Sequence, residues 1–401
     1  MCIVFWHTGT ETEDYSLIVC SNRDEFLARP TSSAAWHDWS TSSPSDGPTE
    51  KNRVLSGLDL TAGGTWFGVS LRPSAVEGAN PVTGRPALRF ATLTNFTETI
   101  PPGKRPSRGK LTRDFLDLGL KQPLASADSP SFAQETTPLE EYLGAVDKVK
   151  HEYAGFNLLV GEINPSSASS PSSSSSATRP VRLAYISNRE SPSKRARILD
   201  PHSASCLHEG KSVRGLSNAT LEVEEGEEEW PKVKSGALAV DEAVREVRRK
   251  GLKGREAEDE LVKGLYDALS TPHPSPITHR IHLRHTVLVR PFCLDPTAPL
   301  PAAPPPLPLS SNFTTTTATS LAGDPPMDVH HPVAGAKAKK EGEDGLRWYA
   351  TRVQTVLVVG KDGTCVVRER DAYVLCGEED GEENEGKPKW SGEERRFEFN
   401  I

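Results

Sequence analysis

Cys2, the second residue of the chain, is the side chain with the clearest chemical potential. Methionine aminopeptidase removes Met1 when the next side chain is small, and the new first residue then carries both a thiol and a free α-amine. These two groups titrate within about one pKa unit of each other, so a proton can pass between them near neutral pH. Cys2 is therefore a candidate N-terminal nucleophile. It is equally compatible with an ordinary place in a buried first strand.

A second polar cluster, Ser-Asn-Arg-Asp-Glu, occupies residues 21–25 at the end of the next β-rich run. If residues 2–6 and 15–20 pair as a hairpin, Arg23 and Asp24 return beside Cys2. Asp24 would then hold the α-ammonium, and Arg23 would lower the pKa of the thiol and receive an acyl oxygen. The alternative is a solvated turn with one surface ion pair.

Three further candidates lie at the ends of apolar strands: Asn95 after RFATLT, Asn218 in GLSNA, and Arg352 at the start of TRVQTVLVV. An amide at such a place can donate a hydrogen bond to a developing oxyanion. Asparagine is also a routine turn residue, so each candidate is weak by itself. The glycine pair Gly63-Gly64 precedes a strand and not a helix, which disfavours a nucleotide-binding loop.

The elements that must position these residues are short strands and a few helices. Alternating or continuous apolar runs predict strands at residues 2–6, 15–20, 65–71, 89–95, 155–162, 181–187, 351–359 and 365–370. Helical spacing of apolar residues predicts helices at 110–120 and 137–154, and a long charged helical stretch at 240–270. Hairpin-like strands with helices in blocks indicate an α+β layered domain.

Composition excludes several classes of protein. The net charge is −8, but two segments, 222–229 and 378–385, carry six acids each, so the acidity is local. There is no clustered basic face for nucleic acid, and no apolar run approaches the roughly 20 residues that span a bilayer. The first residues lack a basic secretory signal, which favours a cytoplasmic protein, with peripheral attachment to an organelle left open. Six scattered cysteines without a C-x-x-C pair indicate neither a zinc site nor a disulfide framework.

Only 35% of the residues are hydrophobic, so part of the chain should lie outside the core. Residues 164–180 are serine-rich, 295–345 begin with seven prolines in 296–308, and 377–394 are acidic and glycine-rich. We therefore expect one domain at 1–376 that is interrupted by insertions at 164–180 and 295–345. An acidic disordered segment at 377–394 and a C-terminal end at 395–401 would follow it.

Eight sequence blocks occur in an order that is typical of one family. They are MCIVFW (1–6), SNRDEFLARP (21–30), LTAGGTWFGVS (60–70), ATLTNF (91–96), PSRGKLTRDFL (106–116), YAGFNLLVGE (153–162), GLSNATLEV (215–223) with WPKV (230–233), and YATRVQTVLVV (349–359). In this combination the chain resembles the NRDE-motif family of transport and Golgi organisation proteins. The resemblance covers most of the chain outside the low-complexity insertions.

This resemblance implies a four-layer αββα sandwich of the N-terminal nucleophile hydrolase type, distantly similar to choloylglycine hydrolases and penicillin V acylases. It assigns catalytic-site positions to Cys2, Arg23, Asp24, Asn218 and Arg352, with Asn95 as a further oxyanion donor. The chain differs from those hydrolases in having Arg23 directly before Asp24, whereas they space the two residues apart.

The resemblance also implies a role in Golgi organisation and protein secretion, through trafficking of haem or acyl lipids. A small-molecule or lipid ligand would then be cargo, with no metal and no resident cofactor, and haem would find its axial ligand in Cys2 or His7. The expected location is cytoplasmic, with attachment to the Golgi or mitochondria as an alternative. The rival interpretation is a cysteine amidohydrolase that acts on a linear amide bond. The sequence makes no prediction of oligomeric state.

Overall fold

The computed structural model describes residues 2–10, 13–37, 53–71, 88–96, 105–117, 138–163, 181–190, 194–199, 212–222, 228–277, 279–294, 347–381 and 383–401. The predicted insertions at 164–180 and 295–345 lie outside these ranges. The chain is mixed α and β with more strand than helix, and its sheets are antiparallel.

The first sheet contains the N-terminal hairpin. Its strands are β1 (Cys2–Thr8), β2 (Tyr15–Phe26), β10 (Val213–Leu216), β11 (Phe292–Leu294), β12 (Arg347–Gly360), β13 (Thr364–Asp371) and β16 (Glu394–Asn400). They are ordered β10-β1-β2-β12-β13-β16, and β11 pairs with β12. The predicted pairing of the first two strands is confirmed, and β2 extends six residues beyond its predicted end at residue 20, through the NRDE cluster.

The second sheet is an unbroken meander in chain order. Its strands are β3 (Thr31–His37), β4 (Arg53–Asp59), β5 (Phe67–Leu71), β6 (Leu88–Asn95), β7 (Phe156–Ile163), β8 (Val181–Ser187) and β9 (Arg197–Leu199). All eight residues of β7 are buried, as expected for a central strand covered on both faces.

Three buried apolar clusters connect these elements. The first joins one face of the first sheet, through Ile3 and Phe5, to α3 and α4. The second contains residues of both sheets, including Val4 on β1 and Phe90 on β6. The third joins the second sheet, through Leu158, to α1 and α2. Strand alternation produces this arrangement, because neighbouring residues of β1 point to opposite faces.

The helices are α1 (Gly109–Leu116), α2 (Pro138–Val149), α3 (Pro231–Lys250) and α4 (Gly254–Leu269). The long helical stretch predicted at 240–270 is in fact two helices, and the first begins nine residues earlier. Gly251 ends α3 with φ +62°, and Gly254 starts α4 with φ +57°. These left-handed conformations break the helix and favour glycine. The two helices pack against each other through the first apolar cluster.

The acidic segment at 377–394, predicted to be disordered, has regular structure in its described residues. Strand β15 (Pro388–Trp390) pairs with β14 (Tyr373–Leu375), and Trp390 packs edge-on against Tyr373 with ring centroids 5.2 Å apart. Lys389 forms an ion pair with Asp380 at 2.5 Å. The prediction rested on the acids and glycines of the segment, whereas Lys389 supplies a counter-charge and Trp390 an apolar contact.

Within the described ranges, no helix combines the length and the apolar character that crossing a membrane requires.

Candidate active site

The hairpin of β1 and β2 brings Cys2 and Arg23 together as the sequence predicts. Cys2 pairs with Arg23 in the strand register. Cys2 lies two residues before Val4, and Arg23 lies four residues after Val19. Val4 and Val19 point between the two sheets, and side chains an even number of positions apart in a strand share one face. The two side chains therefore start from the same face of the sheet, at the end where β1 begins.

Arg23 is a buried cation with an unused donor. Its side chain is 5% exposed, and its guanidinium carbon lies 4.0 Å from the centroid of the Trp66 ring. One guanidinium nitrogen is 3.9 Å from the Glu25 carboxylate. The other, Nη1, has no hydrogen-bond acceptor among the described residues. Burial lowers the pKa of Arg23, opposed by the negative charge of Glu25.

Asp24 points to the opposite face of the sheet, toward α3 and α4. It is 3% exposed, and its Oδ1 accepts a hydrogen bond of 2.6 Å from Thr351 on β12. Tyr349 also donates its hydroxyl to the Asp24 carbonyl oxygen at 3.0 Å. Burial raises the pKa of Asp24, while the amino-terminal charge and Lys232 lower it. The alternative of a solvated surface turn at residues 21–25 is wrong, because β2 continues as a central strand.

The pKa of the Cys2 thiol is raised in the structure, whereas the sequence predicted that it would be lowered. Burial raises the pKa of Cys2 and is the largest effect. The backbone of Asp24 and the charge of Arg23 both lower this pKa, which is the predicted direction, but they are weaker. The arginine therefore acts as expected but is outweighed by the desolvation of the half-buried Cys2.

Asn218 and Asn95 contact each other beside Cys2. The contact runs from the side chain of Asn218 to the backbone of Asn95, and is not a pair of side-chain amides that face one site. Asn218 is 1% exposed, and its Nδ2 donates a hydrogen bond to the Asn95 carbonyl oxygen. The neighbouring Ser217 donates its hydroxyl to the Cys2 carbonyl oxygen at 2.8 Å. The loop after β10 thus touches both the start of β1 and the end of β6.

Asn157 and Tyr185, which sequence reasoning missed, hold that loop in place. The Asn157 amide donates to the carbonyls of Ser217 at 3.0 Å and Ala219 at 2.9 Å. Tyr185 donates its hydroxyl to Asn157 Oδ1 at 2.8 Å. The available signal was an asparagine inside the otherwise apolar run GFNLLVG, because a buried amide needs partners.

Arg352 lies in a β-bulge of β12, between the pairs Thr351–Asp24 and Val353–Arg23. The pKa of Arg352 is lowered to about 10, first by burial and then by the Arg23 charge. Its guanidinium donates to the carbonyl oxygens of Phe26 and Arg29. The structure thus brings Arg352 to the site's edge, where it binds backbone. Its neighbour Thr351 contacts Asp24.

Lys232 is the other site residue that sequence reasoning did not identify. It lies in the first turn of α3 and is 0% exposed, and its charge interacts with those of Asp24 and Cys2. The sequence signal was the block WPKV, in which proline is favoured at a helix start and the lysine follows inside the first turn.

His7 is fully engaged in protein contacts. It is 1% exposed, its Nδ1 is 3.1 Å from the Ser212 carbonyl oxygen, and its Nε2 is 3.0 Å from Glu13 Oε2. Coordination of haem iron by His7 would require one of these bonds to break. In the part of the chain that the structure describes, no three His, Cys, Asp or Glu side chains group as a metal site.

Comparison with known proteins assigns the family. A model of the family described as Transport and Golgi organisation 2 matches residues 1–374. The chain belongs to this family. It is similar to the transport and Golgi organization protein 2 homolog of Bos taurus, with 27% identity over 358 residues, 88% of this chain and 97% of the relative. The homolog of Homo sapiens is 28% identical over 276 residues, 67% of this chain and 72% of the relative.

The fruit-fly member of this family aligns over a smaller part. Transport and Golgi organization protein 2 of Drosophila melanogaster is 26% identical over 193 residues, 47% of this chain and 51% of the relative. The family match includes every candidate site residue from Cys2 to Arg352 and ends before β15 and β16.

Proposed function

We propose that this chain acts in transport and Golgi organisation by carrying a ligand that has an anionic group. The family and the names of its relatives support the first part of the proposal. The unsatisfied Nη1 of Arg23 supports the second. A buried guanidinium nitrogen without an acceptor is costly, and a carboxylate is the acceptor that suits it best.

The carboxylate is shared by two cargo classes. Fatty acids carry one carboxyl group, and haem carries two propionates, so both haem and acyl-lipid trafficking agree with this chemistry. The apolar cluster between the two sheets, which includes Val4 and Trp6, borders the site on the Arg23 side.

Ligand titration tests this function. A fluorescent long-chain fatty acid and haem are each titrated against the wild type, Arg23→Met, and the exposed control Arg255→Met. We expect Arg23→Met to weaken carboxylate binding by about tenfold to a hundredfold, the range for a hydrogen bond to a charged group. Arg255→Met should bind both ligands as tightly as the wild type does. The methyl ester of the fatty acid should bind equally to the wild type and Arg23→Met. Equal binding to wild type and Arg23→Met would contradict the proposal.

The second candidate function is a cysteine amidohydrolase. Its specific support is the pairing of Cys2 with Arg23, together with the burial of the charged residue Asp24 next to Arg23 in β2. The three apolar clusters are also compatible with the four-layer αββα sandwich of N-terminal nucleophile hydrolases. In that mechanism Cys2 Sγ would attack the amide carbonyl and Arg23 would face the acyl oxygen.

An electrophilic acyl probe separates the two candidates. A hydrolase should form a mass adduct on Cys2 that is absent in Cys2→Ser, and its N-terminal sequence should begin at Cys2. Retention of Met1 with no adduct would leave the carrier function alone. An adduct equal in amount on the exposed Cys293 would indicate nonspecific labelling.

A further inference from the structure

Lys232, in the first turn of α3, has a buried side-chain nitrogen that forms no hydrogen bond. The residue is 0% exposed, and its Nζ has no acceptor among the described residues. Side chains of a helix lean toward its N-terminus, and Nζ lies 5.6 Å from the ring centroid of Trp230, the N-cap residue of α3. An aromatic ring at this distance compensates a buried ammonium group only in part.

Arg284 brings a second unsatisfied donor to the same tryptophan. It belongs to the 3₁₀ turn Arg280–His285, and its guanidinium carbon lies 6.0 Å from the Trp230 ring centroid. Its Nε is buried and has no acceptor within the ranges that the structure describes. The ring packs between two apolar clusters, one with α3 and α4 and the other around Leu283. Two cationic side chains, each with an unused N–H, therefore have one ring as their common neighbour.

The start of α3 favours an anion at this place. The side chain of Trp230 forms no capping hydrogen bond, and the first turn of this 20-residue helix contains no acid. The first amides of a helix have no acceptor within it, and the helix dipole places partial positive charge at the same end. Phosphate groups bind readily at helix starts for both reasons.

The chain segment that carries Arg284 is positively charged. Residues 268–294 contain three arginines and four histidines and neither Asp nor Glu. Burial lowers the pKa of His285, and the neighbouring charge of Arg284 lowers it further. The segment therefore supplies no carboxylate of its own to neutralise Arg284.

Asp24 is the acid whose charge acts on Lys232, from the adjacent strand β2. Its Oδ1 accepts the hydrogen bond from Thr351, and no hydrogen bond joins it to Nζ. Asp24 opposes the binding of an anion, whereas Lys232, Arg284 and the dipole of α3 favour it. The balance of charge at this place is thus positive.

We propose that Lys232 and Arg284 bind a phosphate group beside Trp230, at the start of α3. Nζ and Nε donate hydrogen bonds to the phosphate oxygens, and no covalent bond changes. The site lies on the helix side of the first sheet, whereas Arg23 starts from the face between the two sheets. It is therefore separate from the carboxylate site of the proposed function. Inorganic phosphate and a phosphate monoester offer the same chemistry.

The test is isothermal titration calorimetry of the full chain with inorganic phosphate and, in a second arm, glycerol 3-phosphate, at constant ionic strength. We expect saturable binding in the wild type. Lys232→Met and Arg284→Met should each weaken it by about tenfold to a hundredfold, the range for a hydrogen bond to a charged group. Arg284→Lys keeps the charge but removes the Nε donor, and should weaken binding by about tenfold. The control Lys234→Met, an exposed lysine of the same helix, should match the wild type.

Thermal unfolding shows whether a variant that does not bind is still folded. A ligand that binds only the folded chain raises its midpoint, so phosphate should raise the midpoint of the wild type and not that of Lys232→Met. Without phosphate, Lys232→Met should unfold at the same or a higher temperature, because the substitution removes a buried charge that lacks a hydrogen-bonded partner.

Two results would overturn the proposal. The first is a wild-type protein that binds neither phosphate compound, and the second is wild-type affinity in any of the three variants of Lys232 and Arg284. Tighter binding of the ester than of inorganic phosphate would support the proposal with a phosphate monoester as the ligand, and equal binding would support it with free phosphate. Neither measurement uses Arg23 or a carboxylate ligand, so the carrier function stands or fails separately.

Discussion

The four residues Asn22 to Glu25 are consecutive in sequence and serve opposite faces of one strand. Asn22 donates to the carbonyls of Leu269 and Val287 on the helix side. Arg23 starts from the face between the sheets, and Asp24 returns to the helix side. Half of the motif therefore anchors the helical layer, and only part of it belongs to the Cys2 site.

Asp24→Asn should make Cys2 more reactive without loss of stability at neutral pH. Burial raises the pKa of Asp24 above its unfolded value, so its contribution to stability is present at low pH and lost as pH rises through the folded pKa. Asparagine does not ionise, so the loss of stability at higher pH disappears. Its side-chain oxygen can still accept the hydrogen bond from Thr351. It also removes a charge that raises the thiol pKa. Denaturant midpoints across pH and the Cys2 alkylation rate check both effects, and a slower alkylation rate would contradict them.

Glu369→Gln should stabilise the protein at alkaline pH. Glu369 is 2% exposed, accepts from the Ala34 amide at 2.6 Å, and has a pKa raised to about 7, chiefly by burial. Because the folded pKa is raised, its stabilising contribution is complete below about pH 4.5 and is lost as pH rises through 7. We expect the variant to gain about 1 to 3 kcal/mol at about pH 8 and nothing at pH 4. The exposed Glu398→Gln serves as the control for urea unfolding at each pH.

At the scale of elements, the loop after β10 depends on strand β7. This strand belongs to the second sheet, yet its Asn157 binds two carbonyls of the loop that touches Cys2. The site is therefore assembled from both sheets. A substitution in β7 should therefore affect the loop that contacts Cys2, although β1 and β7 belong to different sheets.

Asn157→Leu should destabilise the protein by about 2 to 4 kcal/mol. The substitution has nearly the same shape but removes the donor to the Ala219 carbonyl, one of two donors to the Ser217 carbonyl and the acceptor of the buried Tyr185 hydroxyl. Each loss in the buried site carries a desolvation penalty. Denaturant unfolding measures the loss. Asn384→Leu, in an exposed turn, is the matched control. A midpoint equal to that of the control would show that water replaces the amide.

At the scale of the whole molecule, the sheet is completed by residues beyond the family match. Strand β16 pairs with β13 over seven residues, and its Phe399 packs against Trp36 with ring centroids 5.4 Å apart. Arg396 also binds Glu258 of α4 at 2.8 Å. The C-terminal end thus contacts both sheets and a helix.

Truncation before residue 394 should lower the free energy of unfolding by roughly 3 to 5 kcal/mol, because it removes a paired edge strand and two packed aromatic side chains. A shorter truncation that removes only residues 400 and 401 should cost much less. Equal midpoints for the two truncated proteins would disprove a structural role for β16.

The family, the N-terminal hairpin and the return of Arg23 and Asp24 beside Cys2 could all be predicted from the order of residues. These follow from local periodicity and short-range pairing, which the order of residues fixes. It also indicated most strands within a few residues. The break at Gly251 was missed because helical spacing continues on both sides of it.

The acidity of Cys2, the partners of Asp24 and the buried position of Lys232 are visible only in the folded chain. Burial depends on what packs above a strand, and Thr351 and Lys232 come from elements more than two hundred residues away in sequence. A desolvation penalty has no signature in the order of residues. In the folded chain Cys2 is therefore half-buried, and the pKa of its thiol is raised and not lowered.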